Sequence, residues 1–384
     1  MDGNTGKPTK PGYLSAGRCG RMAENNACFE SINSAMTTEK MRPANVAPLF
    51  WLAEHFPQIG LQLGQVTEKV AALAHGDDKL LGEAAQYAVT GAGKRLRPAL
   101  VLLAAQTCGE VSETVLDVAA VLELIHTASL VHDDVLDESV WRRGKLSARA
   151  RWGNRIAVLL GDTLLSRAFI HLERVGYPSM TGEALAVVEQ MCRGQIAEIA
   201  EASPALSEER YLEIVADKTA SLLGLCGRLG ACCAGAPAEA MGALETFGYN
   251  FGLAFQITDD IQDLIGSQKV SGKPVNHDLR QRKLTLPLIA ALRQATGAAQ
   301  TCLQQALAEE ASCEEQIATV RQLTLECGGI HYAQSVCEAY LAQAHEALVE
   351  LPQVLLLPTG SASAQAYQTL LLACSDGFPL PVMA

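Results

Sequence analysis

The sequence predicts an all-α fold, and three features support that prediction. Aromatic residues make up 5% of the chain, Ala and Leu are abundant and β-branched runs are scarce, which favours helix over sheet. From about residue 46 onward, apolar residues recur at three- and four-residue steps with few breakers. No strand–helix–strand alternation and no fixed repeat is present. We therefore expect one helical domain over 46–384, although 384 residues would by length alone suggest two or three domains.

The helical pattern is clearest in three long segments, 111–138, 154–175 and 183–202. Several are apolar on more than one face, as expected of helices buried inside a large bundle. Gly, Pro and Ser clusters at 176–182, 201–209, 232–240, 271–274 and 357–363 separate the helices.

Residues 1–45 lack the apolar core of a signal peptide, and we expect a disordered extension there. An organellar targeting peptide remains the alternative, but Asp2, Glu24, Glu30 and Glu39 count against it.

Charge and cysteine content exclude several classes of protein. A net charge of −12 argues against a nucleic-acid partner, so any bound phosphate needs a local basic cluster or a metal. The 12 cysteines are scattered without a CxxC pair, which indicates reduced thiols in a cytoplasmic protein. We find no apolar run of the roughly 18 residues that a membrane span requires, and so expect no transmembrane segment.

The first acidic cluster lies in HDDVLDE, where Asp133 and Asp137 are one helical turn apart and Asp134 is about 100° round the helix. Carboxylates at i and i+4 repel each other. A divalent cation such as Mg²⁺, which binds one or two carboxylates and fills its shell with water and substrate phosphate oxygens, reverses that repulsion. A solvated helix end is the alternative explanation for this cluster alone.

The second cluster, FQITDDIQD at 255–263, repeats the arrangement with Asp259, Asp260 and Asp263. Its neighbours are apolar, and charged groups in such surroundings must be paired or metal-bound. Two such clusters on separate apolar helices favour a metal site over two solvated surfaces.

Basic residues form a third element, suited to diphosphate oxygens. They are Lys94, Arg95 and Arg97 in GAGKRLRP; Arg142 and Arg143; Lys218, beside Thr219; and Lys273, Arg280, Arg282 and Lys283 in GKPVNHDLRQRK. For Arg95 and Arg280 we favour a role as surface salt-bridge partners.

Taken together, these motifs resemble those of the trans-polyprenyl diphosphate synthases, which elongate isoprenoid chains. GAGKRLRP is similar to the family's GGKRxRP motif, and HDDVLDESVWRRG and FQITDDIQD resemble its two aspartate-rich regions. DKTASL and GKPVNHDLRQRKLTLP resemble the remaining signatures. The resemblance extends from about residue 46 to 350. Ala92 in place of a glycine, and Arg282 before Lys283 where glycine is usual, depart from the pattern.

The resemblance implies the isoprenoid synthase fold, a bundle of antiparallel helices around a deep central cavity, and a homodimer. It implies two to three Mg²⁺ ions as cofactor, held by Asp133 and Asp137 of the first cluster and Asp259 and Asp263 of the second, with Asp134 and Asp260 in the same set of metal ligands. It implies that the allylic diphosphate is contacted by Arg142, Lys218, Thr219, Gln256, Lys273 and Lys283. Isopentenyl diphosphate, which binds without metal, would contact Lys94, Arg97, His126 and Arg143. A satisfied core histidine is the alternative for His126.

Ala128 and Ser129, one turn before Asp133, are the positions where bulky aromatic residues stop chain growth in this family. Because both are small here, we expect a product longer than farnesyl, such as a quinone side-chain precursor, and peripheral membrane contact on its release. Close helix packing is the alternative reason for their size. A terpene cyclase and a subunit of a hetero-oligomeric synthase are the alternative functions.

Overall fold

Helices account for nearly all of the chain that the structure describes, as the apolar periodicity predicts. The computed structural model describes residues 56–76, 78–90, 93, 95–176, 178–201, 203, 205–265, 276–281, 283–308, 314–349, 351 and 362–375. The predicted extension 1–45, together with Ala92, Lys94, Lys273 and Arg282, lies outside these residues.

The described residues up to Val215 form eight helices and one hairpin. The elements are α1 Pro57–Ala74, α2 Lys79–Val89, α3 Leu96–Cys108, α4 Glu113–Leu136, β1 Trp141–Arg142, β2 Lys145–Leu146, α5 Ala148–Trp152, α6 Asn154–Val175, α7 Pro178–Ala200 and α8 Glu208–Val215.

The second half begins with a π-helical turn, Ala216–Ala220. The helices that follow are α9 Ser221–Cys233, α10 Ala238–Ile265, α11 His277–Arg280, α12 Leu286–Gln294, α13 Gly297–Ala308, α14 Glu314–Glu326, α15 Gly329–Val349 and α16 Ala362–Ser375.

Two central helices, α4 and α10, carry the acidic clusters at their C-terminal ends. Helix α4 packs against α1, α3, α6 and α9, and α10 packs against α9 and α15. Because α9 and α10 are joined by a short turn and pack side by side, they run antiparallel. Their contact requires Gly227, where an added Cβ would lie 2.1 Å from the carbonyl oxygen of Leu244. The all-α prediction is confirmed.

Helix α4 is also long and apolar enough to span a membrane, which the sequence analysis did not anticipate. Among the described residues it is the one helix that passes this test, and 72% of its most apolar window is buried in the protein. That burial is typical of the core helix of a globular protein.

Helix α16, in the C-terminal region that resembled no motif, completes the core. Its Tyr367 is buried and packs edge-on against Phe247 of α10, with ring centroids 4.8 Å apart. This contact braces α10 on the side away from α9.

Candidate active site

Helix α4 brings Asp133 and Asp137 to its C-terminal end, where the helix dipole disfavours negative charge. Burial raises the pKa of the Asp133 carboxyl, and the nearby Asp137 raises it further while Lys218 opposes the shift. Positive charge near this end of the helix comes from Lys218, Arg142 and Lys283, and a bound cation would add to it.

The Asp134 side chain contacts Arg142, although the sequence placed Asp134 among the metal ligands. Its side chain is 4% exposed; Arg142 donates from Nε to Oδ1 at 2.8 Å, and Nη2 lies 2.6 Å from the same oxygen. Burial raises the pKa of the Asp134 carboxyl, while Arg142 lowers it. These contacts favour a role in holding Arg142 over the predicted metal role.

In the second cluster, too, the middle aspartate forms hydrogen bonds within the protein. Asp260 is buried; it accepts hydrogen bonds from the Tyr211 hydroxyl at 2.5 Å and from Gln256 Nε2 at 2.9 Å. Burial raises the pKa of Asp260 well above its usual range. The Gln256 amide oxygen in turn accepts from the Thr219 hydroxyl at 3.0 Å. Asp260 thus supports predicted substrate contacts, whereas Asp259 lies about 100° round the helix from it.

The Asp263 side chain also forms hydrogen bonds within the protein. Its carboxylate accepts the backbone N–H groups of His277 at 3.1 Å and Asp278 at 3.0 Å, and its carbonyl accepts that of Asn276 at 2.8 Å. An acid at a helix N-terminus satisfies otherwise unpaired N–H groups. Asp263 therefore anchors α11, which does not conflict with the metal role predicted for it, because a carboxylate oxygen can accept a hydrogen bond and bind a metal ion at the same time.

Residues 276–283 connect the two clusters across one cleft. Gln281 Nε2 donates to the carbonyl oxygen of Asp137 at 3.0 Å, and Lys283 Nζ lies 3.3 Å from the Asp137 carboxylate. Since Asp263 holds the other end of this segment, both clusters face the same side of the molecule. Burial and the neighbouring Asp263 raise the pKa of Asp278 to about 7. The sequence analysis did not single out Asp278.

The π-helical turn places Lys218 and Thr219 in this cleft. Such turns are frequent at functional sites. Gly194 of α7 permits the close approach, because an added Cβ there would lie 2.7 Å from the backbone nitrogen of Lys218. Asp217 fixes the turn by accepting hydrogen bonds from Gln190 at 2.8 Å and from Arg193 at 3.0 Å.

Glu198 of α7 is a further acid that sequence reasoning missed. Its Oε2 lies 2.6 Å from Lys218 Nζ and 3.7 Å from Lys283 Nζ. These lysines lower the pKa of Glu198 although burial opposes the shift. The only signal in the sequence is its spacing of four residues from Gly194, which places both on the face of α7 that meets the π turn.

The cleft has about 710 Å³ of unfilled space, part of it open to solvent. The lining combines charged and polar groups with apolar groups. The first set is Glu198, Lys218, Thr219, Gln256, Asp260, Asp278 and Lys283, and the second includes Leu206, Ile214, Val215 and Leu284. This lining suits an amphiphile with an anionic head.

The predicted metal-free pocket contains Arg97, His126 and Arg143. Burial and the surrounding arginines lower the pKa of His126 well below its usual value, so the imidazole is neutral. Burial also lowers the pKa of Arg97, whose Nε has no hydrogen-bond partner. Arg143 adopts a φ of 51° and approaches Gly93, where an added Cβ would lie 2.6 Å from its Nη1.

The remaining predicted residues have the following positions. Arg280 forms an exposed ion pair with Glu314 at 2.5 Å, as predicted. Arg95 also forms an ion pair, but with buried Glu123 and not at the surface. Ala128 is fully buried, and Ser129 donates to the carbonyl oxygen of His126 at 2.9 Å.

In the described part of the chain, no three His, Cys, Asp or Glu side chains are close enough together to enclose a metal ion. The available donors at the cleft are nonetheless carboxylate oxygens, which suit Mg²⁺. Burial raises the pKa of Asp133 although Lys218 lowers it, and a bound cation would favour the charged form of this carboxyl. The residues present therefore fit a hard divalent cation shared with an anionic ligand.

Comparison with known proteins agrees with this geometry. The sequence model of the polyprenyl synthetase family matches residues 78–324. The octaprenyl diphosphate synthase of Escherichia coli K12 is 32% identical over 279 residues, covering 72% of this chain and 86% of that protein. The heptaprenyl diphosphate synthase component 2 of Geobacillus stearothermophilus is 40% identical over 231 residues, covering 60% and 72%.

Among solved structures, the polyprenyl synthase of Caulobacter crescentus CB15 complexed with calcium and isoprenyl diphosphate superposes with a TM-score of 0.78 at 29% identity. The match covers 87% of this chain and 99% of that one.

Proposed function

This chain belongs to the polyprenyl synthetase family, and from that premise we propose how its cleft performs the reaction. The protein is a transferase, a trans-prenyl diphosphate synthase that condenses isopentenyl diphosphate with an allylic diphosphate to give a product of C20 or longer. One observation carries the assignment of the site: residues 276–283 join both aspartate clusters to Lys283 on one side of the cleft.

The allylic diphosphate binds beside the charged and polar groups that line the cleft, between the aspartate clusters. Lys218 and Lys283 supply the nearest positive charge, Thr219 and Gln256 supply hydrogen bonds, and Arg142 is held in place by Asp134. By resemblance Lys273 joins this set. The hydrocarbon extends away from these charges into apolar surroundings, which contribute about 25 cal/mol for each Å² of apolar surface buried.

Isopentenyl diphosphate binds in the separate pocket of Arg97, His126 and Arg143, to which the resemblance adds Lys94. Arginine forks bind diphosphate oxygens in pairs and need no metal. A neutral His126 donates one hydrogen bond without adding repulsion between the arginines.

The reaction breaks the allylic C–O bond, and the electron pair leaves with diphosphate. The isopentenyl double bond then attacks the allylic cation, and loss of one proton gives the elongated allylic diphosphate. The departing diphosphate accepts that proton, so no side-chain base is required. Fixed cations that line the cleft stabilise the charge on the leaving group more strongly than mobile ions would in bulk water.

The metal we propose is Mg²⁺, two to three ions, held by Asp133, Asp137 and Asp259. When bound, it supplies Lewis-acid neutralisation of charge on the leaving diphosphate. Asp134 and Asp260 hold Arg142 and Gln256 in position instead, and Asp263 joins the metal ligands while it also holds α11. Removal of divalent ions with EDTA should abolish turnover, and added Mg²⁺ should restore it.

We also propose a homodimer that forms through α6 and α7. Both helices expose large apolar side chains, including Leu159 at 61% and Ile196 at 66%. Light scattering of the purified chain tests this state, and Leu159→Glu should shift it toward the monomer. A hetero-oligomer is the second candidate, favoured by the similarity to a synthase component 2.

The small residues Ala128 and Ser129 support a medium- or long-chain product, suited to a quinone side-chain precursor that leaves through contact with a membrane. The acidic composition and scattered cysteines support a cytoplasmic location, which cell fractionation tests.

The deciding experiment supplies the purified chain with Mg²⁺, farnesyl diphosphate and labelled isopentenyl diphosphate, followed by chromatography of the products. Label in linear prenyl diphosphates of C20 or longer supports the proposal. Absence of incorporation by the isolated chain would favour the hetero-oligomeric subunit. Cyclic hydrocarbons would favour a terpene cyclase.

A further inference from the structure

Glu123 is a buried acid to which no step of the reaction has yet assigned a role. It lies on α4 one turn before His126, and its side chain is 2% exposed. Its Oε1 accepts a hydrogen bond from Arg95 Nη1 at 2.8 Å, whereas its Oε2 is buried and has no hydrogen-bond partner among the described residues. A buried carboxylate with one unbonded oxygen is costly unless nearby charge compensates it.

The compensating charge comes from the arginines of the isopentenyl diphosphate pocket. Glu123 is the strongest attractive charge acting on both Arg97 and Arg143, which repel each other. The Nε of Arg97 is likewise buried without a partner. Glu123 is therefore hydrogen-bonded to Arg95 and also attracts Arg97 and Arg143, so that one carboxylate balances part of the charge of three guanidinium groups.

The backbone of the pocket is strained at two of these arginines. Arg95 has a φ of 46° and Arg143 a φ of 51°, in the left-handed region that side chains other than glycine rarely adopt. Such conformations persist only where surrounding contacts impose them. The ion pair to Glu123 and a hydrogen bond from Arg95 Nη2 to the carbonyl oxygen of Val89, at 3.2 Å, are the contacts that hold Arg95.

We propose that Glu123 is the positioning residue of the isopentenyl diphosphate pocket, holding the guanidinium groups of Arg95, Arg97 and Arg143 at the spacing that a diphosphate requires. This inference rests on the proposed function. Without the carboxylate the three cations repel one another, and each must be reoriented by the substrate as it binds. Other residues bind the allylic diphosphate, and that site does not depend on Glu123.

The test compares Glu123→Gln, which keeps the shape and removes the charge, with the wild-type protein. We expect the KM for isopentenyl diphosphate to rise about tenfold, the effect of losing one charge-assisted hydrogen bond, while the KM for farnesyl diphosphate stays unchanged. Glu123→Asp should recover part of the difference. Glu113→Gln is the matched control, because Glu113 lies on the same helix with its side chain 76% exposed and should match the wild type.

Equal KM values for isopentenyl diphosphate in Glu123→Gln and wild type would overturn the inference, as would equal rises for both substrates, which indicate a general structural defect. If wild-type protein incorporates no isopentenyl diphosphate at all, the proposed function fails first, and this inference fails with it. If Glu123→Gln does not fold, the double variant Arg95→Gln/Glu123→Gln removes both charges together. A wild-type KM for isopentenyl diphosphate in the double variant would equally refute the proposal.

Discussion

Adjacent aspartates 133 and 134 should respond to the same substitution with opposite effects. Asp134→Asn weakens a buried pair in which two guanidinium nitrogens lie 2.6 and 2.8 Å from one carboxylate oxygen. Hydrogen bonds to charged groups contribute about 1.5–3 kcal/mol, and the asparagine oxygen still accepts a neutral bond, so we expect the free energy of unfolding to fall by about 2 kcal/mol. Burial raises the pKa of both carboxyls, so the difference rests on the ion pair: Asp134→Asn leaves Arg142 without its anionic partner, whereas Asp133→Asn only removes a buried carboxylate, and stability should then be unchanged or slightly higher.

The two substitutions should affect catalysis in the reverse order, with Asp133→Asn the more damaging. Asp133→Asn removes a proposed Mg²⁺ ligand, and we expect kcat to fall at least 100-fold, the effect of about 2.7 kcal/mol or more of lost transition-state stabilisation. Asp134→Asn should retain Mg²⁺-dependent turnover with a raised KM for the allylic substrate, because Arg142 loses its anchor.

The two measurements are urea unfolding in EDTA and incorporation of labelled isopentenyl diphosphate as Mg²⁺ is titrated. Because both substitutions remove one negative charge from neighbouring positions, each serves as the control for the other. The reasoning would be refuted if Asp134→Asn unfolded like wild type while abolishing the Mg²⁺ response.

Three further predictions address other parts of the cleft. Ala128→Phe should shorten the product, since position 128 lies about 7.5 Å along the helix from Asp133; an unchanged chromatogram would contradict the pocket. Gly194→Ala should raise the KM for the allylic substrate, because its Cβ would press on Lys218, whereas Gly182→Ala on the same helix, with nothing within 4 Å, should not. In EDTA, unfolding free energy should fall as pH rises from the ordinary Asp pKa of 3.8 to about 7, since folded Asp278 keeps a proton that the unfolded chain has released. Urea unfolding across this range should show a shallower slope for Asp278→Asn, and equal slopes would count against the shift.

Several properties of this protein could be predicted from residues a few positions apart. Apolar residues at three- and four-residue steps specify helices, and the spacing of Asp133 from Asp137, and of Asp259 from Asp263, specifies pairs on one helix face. The basic motifs also consist of residues that lie close together in the chain. These signals were sufficient for the fold class, whereas the roles of the basic and polar residues of the cleft came from the resemblance of their motifs to a known family.

Only the tertiary structure decided what each acid does. Asp260 meets Tyr211, which is 49 positions away in the chain, and Glu123 meets Arg95 across 28. From the sequence, Asp134 and Asp260 belonged to the same predicted set of metal ligands as their neighbours. A rotation of 100° round a helix shows that a side chain lies on another face, but not which residues pack against that face. Which carboxylate faces the cleft and which one meets a buried donor follows from the packing of distant helices, and hydrogen bonds over such separations leave no periodic trace in the sequence.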